Sequence, residues 1–512
     1  MQQKTLVMKF GGTSVGSADA LISATQIIRD AQKDWNRMVV VTSAMAGVTN
    51  LLLDSARFFS SGKPDSLAQA ESTLREKHFS AAETLIKNKS LLEETKKEIN
   101  ALIQIFVNLC NAIQVLGEAS PRVLDAVASL GERMSLRLLT AVINEAGIKA
   151  KGIEANEFIV TNSNFQNAHP DFAITKEKTQ ALLNPLLNEG NIVITTGFIG
   201  ANAEGVITTL GRGGSDYTAA IIGSVLPANE VWIWTDVDGV MTTDPRIVSS
   251  AKTLSEISYG EIAELAYYGA KVLHPKTIRP VVDAGIGLRI CNTFNPTHEG
   301  TRLTASGKKN GHVIKAVTAI QKQRLVTIEG RGMLGVPGVA ARAFGAVAST
   351  KTSVPLITQA SSEQSICFAV PSETAPSVLN ALEKTFAHEI EEDDIDRVWS
   401  TDDVSIVTVV GAGMRHTPGV AGKVFSQLGN NGVNVLAIAQ GSTDDVSIVT
   451  VVGAGMRHTP GVAGKVFSQL GNNGVNVLAI AQGSSEVSIS LVVDANDTEN
   501  AVRTLHELIV EK

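Results

Sequence analysis

Cysteine and aromatic residues are both scarce in this chain. Three of its 512 residues are cysteine, namely Cys110, Cys291 and Cys367. Their scattered positions match neither a metal-binding nor a redox spacing. We therefore expect buried or free thiols in a reducing compartment rather than a disulfide framework. Aromatic residues make up only 4% of the chain, so aliphatic side chains must form most of any core.

Targeting signals and an excess of positive charge are also missing. The first residues, MQQKTLVMKFGG, contain no apolar segment typical of a signal peptide. No uninterrupted apolar run reaches the roughly 18 residues that span a membrane. The net charge of −7 argues against nucleic acid or an anionic membrane as a partner. These features predict a cytoplasmic protein.

The chain has enough apolar residues for several cores. Of its residues, 44% are hydrophobic and 19% are charged, and the length suggests two to four domains. Apolar strands such as Met38–Thr42 alternate with helical stretches, and continuous apolar strands are typical of a parallel sheet covered on both faces. The pattern predicts the α/β class, with an open, largely parallel sheet and helices on both faces.

Two glycine-rich turns follow strands in the first half of the chain. Leu6–Phe10 leads into Gly11 and Gly12 and then a helix over 18–31, which is the outline of a phosphate cradle. It is not a Walker A loop, because no Gly-Lys-Ser/Thr closes it. Lys9 precedes the glycines, where its ammonium could reach a phosphate. An equal alternative is an ordinary lysine at a strand edge.

The second glycine-rich turn lies within the central stretch 193–245. Gly211–Gly214 includes Arg212, which could clamp a carboxylate or phosphate, and Ser215 and Asp216 precede a helix whose N–H groups suit phosphate. A later strand ends in a loop that contains Asp236 and Asp238. These three aspartates supply hard oxygen atoms of the kind that Mg²⁺ prefers. The alternative is that all are ordinary turn and helix-cap residues.

Other segments favour structural interpretations. Residues 66–117 show helical spacing of apolar residues and predict a helical excursion. The helix pair after it is predicted to break at Leu130–Ser135, which makes Glu132 and Arg133 a solvated helix start. Lys271 is a second candidate phosphate lysine, and His274 before a proline is more typical of a structural histidine.

The last third of the chain has a different order of predicted elements and contains a repeat. Gly330–Gly335 matches GxGxxG, but no acidic residue follows about 20 positions later, so we reject a dinucleotide site. The segments from Leu325 predict a β-α-β-β-α unit of ferredoxin-like type. Residues 401–442 and 443–484 are identical. Only the second copy continues into Glu486–Val493, so the first is expected to leave strand edges unpaired unless it docks elsewhere.

Five motifs together resemble those of the aspartate kinase family. They are Lys9–Val15, Gly131–Ser135, Gly211–Asp216, Trp234–Gly239 and Gly269–Pro275. The region after them resembles paired ACT domains, and 356–363 and 437–442 resemble the threonine-sensitive branch, which is usually fused to homoserine dehydrogenase. The resemblance covers almost the whole chain. It implies a catalytic domain over 1–297, a linker over 298–319, a first ACT domain over 320–398, a duplicated βαβ segment over 401–442 and a second ACT domain over 443–512.

The resemblance also implies an activity and roles for individual residues. The activity is ATP-dependent phosphorylation of the L-aspartate β-carboxylate, with Mg²⁺ and with ligands of the metal unknown. Lys9 would stabilise the transferred phosphoryl group and Asp216 would organise the site. Aspartate would be held by Ser43, Thr49, Glu132, Phe198, Arg212 and Ser215, with Glu132 on its amine and Arg212 on its α-carboxylate. The ATP side would comprise Lys9, Gly11, Gly12, Thr235, Asp236, Met241, Arg246 and Lys271.

Regulation and assembly follow from the same resemblance. ACT pairs of the family bind an end-product amino acid, here threonine or lysine, and mediate dimerisation. Gln359, Gln440 and Gln482 are expected near that effector, in a homodimer or higher homo-oligomer. The chain ends after the ACT region, which implies a monofunctional kinase or a fragment of a bifunctional one. Two further hypotheses stay open, namely a kinase for another amino acid's carboxylate, such as glutamate, and a non-catalytic amino-acid sensor.

Overall fold

The fold is described from a computed structural model. It describes residues 4–60, 67–270, 273, 275–305, 313–333, 338–359, 365–411, 417–433, 435–440, 446–452, 462–475, 477–482 and 488–510. The chain divides into two compact units, residues 1–308 and 309–512. Each unit is described separately below.

The first unit is organised around an eight-stranded sheet. Its strand order is β3-β4-β2-β1-β7-β9-β10-β8, and within it only β9 and β10 pair in antiparallel fashion. A separate two-stranded ribbon joins β5 and β6. The predicted open, largely parallel sheet is confirmed. The strands are β1 Thr5–Phe10, β2 Arg37–Thr42, β3 Ala150–Ile153, β4 Ile192–Thr196, β5 Ile199–Ala201, β6 Ile207–Thr209, β7 Glu230–Thr235, β8 Glu256–Ser258, β9 Gly287–Asn292 and β10 Thr301–Thr304.

Helices cover both faces of this sheet. Side chains of a strand alternate between faces, so Leu6, Met8 and Phe10 of β1 pack into one core with residues of α1, α2, α4 and α5. The alternation turns Lys9 to the opposite face, where α7 contacts β1. The helices are α1 Ala18–Ala31, α2 Val48–Ser60, α3 Leu67–Leu85, α4 Lys89–Leu116, α5 Pro121–Glu145, α6 Phe172–Asn188, α7 Gly214–Val225, α8 Tyr259–Tyr267 and α9 Pro275–Asp283.

The helical excursion predicted over 66–117 is confirmed as α3 and α4. Helix α4 is long and apolar enough to cross a membrane by length and composition alone. A core helix passes the same test, and Ile99, Phe106 and Ile113 of α4 are buried in the core shared with α5.

The predicted break at Leu130–Ser135 is wrong, because α5 runs without interruption through these residues. Gly131 does not end the helix. A Cβ atom there would lie 2.9 Å from the Cβ of Ala44, so the glycine permits close packing of α5 against the segment after β2. Glu132 and Arg133 therefore lie in the middle of a helix, and Glu132 is buried rather than solvated.

The second unit contains two antiparallel sheets with helices. One sheet has the order β12-β13-β11-β14, with β15 pairing a further part of β11, and the other has the order β16-β18-β19-β17. The predicted ferredoxin-like class is confirmed. The strands are β11 Ala316–Glu329, β12 Leu356–Gln359, β13 Ser365–Pro371, β14 Arg397–Ser400, β15 Val404–Val410, β16 Ile438–Gln440, β17 Val446–Val452, β18 Val477–Gln482 and β19 Ser488–Asp494; the helices are α10 Val339–Ser349, α11 Ala375–Thr385, α12 Ala387–Glu391, α13 Val420–Asn430, α14 Val462–Asn472 and α15 Thr498–Val510.

The first copy of the repeat finds partners outside itself. Strand β15 pairs with Ala316–Gln323 of β11, and β16 pairs with β18 of the second copy. The alternative of docking elsewhere is therefore the one that the structure adopts. Strand β11 is long enough to pair with two strands: its first part pairs with β15, and its second part, Arg324–Glu329, pairs with β13.

Candidate active site

Three loops at the carboxyl ends of neighbouring strands meet in the first unit. The backbone N–H of Gly11, after β1, donates to the carbonyl of Trp234 in β7 over 3.1 Å. Beyond β2, a Cβ on Gly12 would lie 2.9 Å from the Ala44 carbonyl oxygen. Gly12 is thus needed for the close approach of the two backbones. Carboxyl ends of strands in open α/β sheets are where ligands bind.

Lys9 and Asp216 form the central charged pair. The Lys9 Nζ atom lies 2.6 Å from Oδ1 of Asp216, and the two side chains are 11% and 17% exposed. Lys9 reaches this position from β1, the strand between β2 and β7, while Asp216 lies in the first turn of α7. The prediction had these residues in one site, and the structure brings them into contact.

The start of α7 is shaped by glycines. Gly211 and Gly213 have φ angles of 78° and 71°, which favour glycine. A Cβ on Gly197 would lie 2.5 Å from the Ser215 Cβ, and one on Gly214 would lie 2.5 Å from the Phe198 ring. The glycines therefore hold Phe198 and Ser215 beside the start of the helix.

Glu132 is a buried carboxyl group that lines the same cavity as Lys9, Phe198 and Asp216. It is 3% exposed, and its Oε1 accepts one long hydrogen bond, 3.4 Å, from the Ala44 N–H. Within the described part of the chain, its Oε2 has no hydrogen-bond partner. Burial raises the pKa of Glu132 to about 8, because a charged carboxylate is costly away from water.

These groups line one cavity of about 410 Å³. Of the residues predicted for catalysis and aspartate binding, seven lie in its wall: Lys9, Thr49, Glu132, Phe198, Arg212, Ser215 and Asp216. Ser43 is not among the lining residues; it follows β2, where its N–H donates to the Phe10 carbonyl. Arg212 is exposed and forms no ion pair with any residue that the structure describes.

Four of the residues predicted for the ATP side lie at the end of β7 or in the loop after it. Thr235 donates to Asp236 over 3.2 Å, and Met241 forms a bridge with Thr253. Arg246 pairs with Asp244 at 2.5 Å. None of these four lines the cavity, and Lys271 lies outside the described residues. Gly11 does not line the cavity either; its N–H donates to the Trp234 carbonyl in β7.

Carboxylates near the site differ in how they are engaged. Asp216 pairs with Lys9, and Asp238 accepts hydrogen bonds from Asn292 and Asn295. Asp236 is exposed. Among the described residues, no three His, Cys, Asp or Glu side chains cluster as a metal site would.

Sequence reasoning missed a buried carboxylate in the cavity wall. Asp125 is 1% exposed and accepts hydrogen bonds from the backbone N–H of Gln166 and from Thr209. It therefore fixes two segments of the wall, and burial raises its pKa. An aspartate in the otherwise apolar run VLDAVA was the available signal.

An ion-pair group supports α5 next to the cavity. Glu154 lies 2.9 Å from Arg133 and 2.6 Å from Arg137. Arg133, which was predicted to be part of a solvated helix start, instead ties the middle of α5 to the segment after β3. Arg57 of α2 also lines the cavity and was not predicted.

The three glutamines predicted near an effector lie in the second unit. Gln359, Gln440 and Gln482 are the last residues of β12, β16 and β18. Strand β12 contacts both β16 and β18. The ends of three neighbouring strands therefore carry the three residues.

Comparison with known proteins gives consistent results for both units. Residues 4–292 match the amino acid kinase family, and 326–386, 407–450 and 449–508 match the ACT domain. The chain is 36% identical over 443 residues to a chloroplastic bifunctional aspartokinase/homoserine dehydrogenase of Daucus carota, which covers 85% of this chain and 47% of that protein. The chain thus spans about half the length of such bifunctional relatives.

Two matches extend over nearly the full length of the compared protein. Lysine-sensitive aspartokinase 3 of Escherichia coli is 36% identical over 428 residues, which is 83% of this chain and 90% of that protein. A crystal structure of E. coli aspartokinase III in complex with aspartate and ADP has a TM-score of 0.67 at 31% identity and covers 99% of this chain and 100% of that one. The chain belongs to the aspartokinase family within the amino acid kinases.

Proposed function

We propose that the chain phosphorylates the β-carboxylate of L-aspartate with ATP and releases 4-phospho-L-aspartate and ADP. This would be the first step toward lysine, threonine and methionine. The observation that carries the proposal is the cavity in which buried Glu132, exposed Arg212 and Lys9 converge. An amino acid with a second carboxylate offers one group to each of these three. The related aspartokinase III, crystallised with aspartate and ADP, supports the assignment.

Aspartate recognition is assigned to both walls of the cavity. Glu132 would bind the ammonium group, because its free Oε2 atom gains a hydrogen-bond donor and a counter-charge. Arg212 would hold the α-carboxylate through two parallel hydrogen bonds. The remaining proposed contacts come from Ser43, Thr49, Phe198 and Ser215. Asp125 would act as a positioning residue for the loop around Gln166.

Phosphoryl transfer is assigned to Lys9 and Asp216. A β-carboxylate oxygen of aspartate would attack the γ-phosphorus of ATP, and the bond to the bridging oxygen of ADP would break. The carboxylate is already ionised at neutral pH, so the attack needs no base. Lys9 would neutralise charge on the transferred group, and Asp216 would hold the Lys9 ammonium in place.

Nucleotide binding is assigned to the glycine turn and the loop after β7. Gly11 and Gly12 let the backbone approach phosphates, and the proposed ATP side comprises Thr235, Asp236, Met241, Arg246 and Lys271. The exposed carboxylate of Asp236 fits a role beside Mg²⁺, which keeps several waters and needs one or two carboxylates with the phosphates. Bound Mg²⁺ would offset the negative charge of the phosphates.

Regulation, assembly and location are proposed with the same family in view. Residues 1–297 would be catalytic, 298–319 a linker, and 320–398 and 443–512 the ACT domains. Threonine or lysine would bind near Gln359, Gln440 and Gln482, and the relative described as lysine-sensitive favours testing lysine first. We also propose a homodimer or higher homo-oligomer in the cytoplasm. The relatives include both a bifunctional aspartokinase/homoserine dehydrogenase and a separate aspartokinase, so both hypotheses, a monofunctional kinase and a fragment of a bifunctional one, are kept.

Coupled ADP release tests the proposed reaction. The wild-type chain is given ATP and Mg²⁺ with L-aspartate, L-glutamate or no amino acid, with Lys9→Met as the matched inactive control. We expect aspartate-dependent release that Lys9→Met loses. Preference for glutamate would support a kinase for another carboxylate. Calorimetric binding of lysine or threonine without any turnover would support the sensor instead.

A further inference from the structure

Phe198 lies at the centre of a strained turn between β4 and β5. The backbone N–H of Ile199 donates to the Gly197 carbonyl over 2.7 Å, which closes a three-residue γ-turn around Phe198. The φ angle of Phe198 is 68°, close to that of the rare, strained form of this turn. A bulky residue keeps such a φ angle only when its surroundings enforce it.

Backbone hydrogen bonds hold both sides of this turn. The Gly197 N–H donates to the Thr42 carbonyl at the end of β2 over 2.8 Å. The Phe198 carbonyl accepts from the Leu210 N–H over 2.9 Å, which closes the β5–β6 ribbon directly before the turn Gly211–Gly214. A rotation of the backbone at Phe198 would therefore displace both the ribbon and this glycine turn, which lines the cavity.

The N–H of Phe198 is bound by the side chain of Thr218 in α7. It donates to the Thr218 Oγ1 over 3.0 Å, and that hydroxyl donates to the Gly214 carbonyl over 2.9 Å. Because the hydroxyl proton is used toward Gly214, an oxygen lone pair is left for the Phe198 N–H. Thr218 is 0% exposed, so one buried side chain links the strained turn to the helix that carries Asp216.

A second strained residue of the cavity wall is held in the same way. Gln166 also has a φ angle of 68° and lines the cavity together with Phe198. Its N–H donates to the carboxylate of Asp125, which is buried. Two wall residues with a left-handed backbone are thus each fixed by a buried side-chain oxygen. Strained backbone concentrates at binding sites, where it forms part of a preorganised shape.

We propose that Thr218 is a positioning residue for aspartate, which keeps Phe198 in the strained conformation that completes the cavity wall. The inference rests on the proposed aspartate kinase function. The Phe198 ring lies against the start of α7, where a Cβ on Gly214 would come within 2.5 Å of it. Without the Thr218 hydroxyl, the Phe198 N–H loses its acceptor and the backbone can relax to a negative φ angle. The ring then leaves the start of α7, and aspartate binds more weakly.

Thr218→Val tests the proposal in the full chain, because it replaces the hydroxyl by a methyl group of similar size. We expect the KM for aspartate to rise about tenfold, as for a buried N–H left unpaired. The change in kcat should stay below about threefold, because the Lys9–Asp216 pair is kept. Thr218→Ser retains the hydroxyl and should bring KM to within about twofold of the wild type. A fall in kcat at unchanged KM, or no rescue by serine, would overturn the proposal.

Thr179→Val is the matched control. Thr179 is buried in α6, and within the part of the chain that the structure describes its Oγ1 has no hydrogen-bond partner. The same substitution there removes a buried hydroxyl without releasing a wall residue, so the KM for aspartate should equal that of the wild type. An equal rise in KM for Thr179→Val would show that any loss of a buried threonine loosens the cavity, and would contradict the role assigned to Thr218.

Amide hydrogen exchange at Phe198 tests the same contact without turnover. Residue-resolved exchange should be about tenfold faster in Thr218→Val than in the wild type, and unchanged in Thr218→Ser and Thr179→Val. Phe198→Gly should melt at a higher temperature than Phe198→Ala, because glycine adopts a φ angle of 68° at little cost. Unchanged exchange in Thr218→Val, or a lower melting temperature for Phe198→Gly, would overturn the proposal.

The two kinds of measurement separate this inference from the proposed function. Turnover of aspartate by the wild type, with unchanged KM and unchanged Phe198 exchange in Thr218→Val, would overturn the role of Thr218 and leave the kinase assignment intact. Absence of aspartate turnover by the wild type would overturn the kinase assignment. Faster Phe198 exchange in Thr218→Val would then still support the hydrogen bond from Phe198 to Thr218 as the contact that holds the strained turn.

Discussion

The two units differ in how strictly a segment's sequence determines the structural environment in which the segment lies. In the first unit, the turn Gly211–Gly214, Lys9 and Asp216 each occur once and line one cavity. In the second, one 42-residue sequence occupies two environments. Phe467 of the second copy is 1% exposed, whereas its equivalent Phe425 is half-buried. The burial of a side chain in this repeated segment therefore depends on which neighbouring elements each copy contacts.

The different strand partners explain that contrast. Strand β17 of the second copy pairs with β19, which also pairs with β18, so the three strands form one antiparallel sheet that α14 and α15 cover. The identical strand of the first copy, β15, pairs with β11 instead. Helix α13 therefore lacks a complete sheet of its own beneath it and relies on α14.

The largest expected effect sharpens this contrast through stability. Phe467→Ala should lower the unfolding free energy of the second unit by about 3–5 kcal/mol, the usual cost for a buried phenylalanine. Phe425→Ala, the same change at the equivalent position, should cost about 1–2 kcal/mol because less area is lost. Hydrogen exchange of α14 in denaturant measures both, and equal costs would remove the distinction between the copies.

In the first unit, Lys9→Met tests whether the Lys9 ammonium takes part in phosphoryl transfer. Loss of the ammonium beside Asp216 should lower kcat about 10²–10³-fold, as for removal of one group that stabilises transition-state charge. Stability of the second unit should not change, and ADP release together with hydrogen exchange checks both statements. Retained kcat would show that the pair is structural.

Glu132→Gln should raise the KM for aspartate about 10–100-fold, since a neutral amide cannot offset the ammonium charge. Binding of the amine should also lower the pKa of Glu132 from about 8, so the wild type should release up to one proton on binding near pH 7. Calorimetry in buffers of different ionisation enthalpy measures this release. Equal proton release by Glu132→Gln would contradict the assignment.

The raised pKa of Glu132 also has a consequence for stability without ligand. The folded carboxyl keeps its proton up to its pKa of about 8, whereas the unfolded one loses its proton near the ordinary glutamate pKa of 4.5. The folded state binds more protons between these values, so stability should fall as pH rises through that window and level off above it. The melting temperature of the wild type should therefore fall relative to that of Glu132→Gln as the pH rises from about 4.5 to about 8.

The smallest expected effect concerns Asp125→Asn. The amide loses one acceptor oxygen toward Gln166 and Thr209, so the cavity wall should loosen. We expect KM for aspartate to rise about threefold to tenfold with a smaller change in kcat, equivalent to the loss of roughly one hydrogen bond. A fall in kcat at unchanged KM would instead indicate a role in the chemical step.

Much of the fold was predictable because local signals and tertiary structure agreed. Helix α1 has the predicted bounds, and Ser17 caps its start, with a side chain that accepts from the Ala20 N–H. The break in α5 was wrong because Gly131 was interpreted as a local breaker. Its role is a contact with Ala44, which lies far away in sequence and is visible only once the chain is folded.

The site was predictable to the extent that its residues lie in glycine turns or match family motifs. Lys9, Arg212 and Asp216 were found in this way. From spacing alone, Glu132 was assigned to a solvated position, because its burial depends on the loop after β2. Asp125 was missed, because its hydrogen-bond partners come from two other segments. The docking of the first copy was left open because both copies have the same sequence.

Detection of the product tests the central claim most directly. An acyl phosphate reacts with hydroxylamine to give a hydroxamate, so wild type and Lys9→Met are incubated with ATP, Mg²⁺, L-aspartate and hydroxylamine. We predict the β-hydroxamate of aspartate with the wild type only, identified by mass spectrometry. ADP release without any aspartyl hydroxamate, or equal hydroxamate from Lys9→Met, would contradict the assignment of this cavity as an aspartate kinase site.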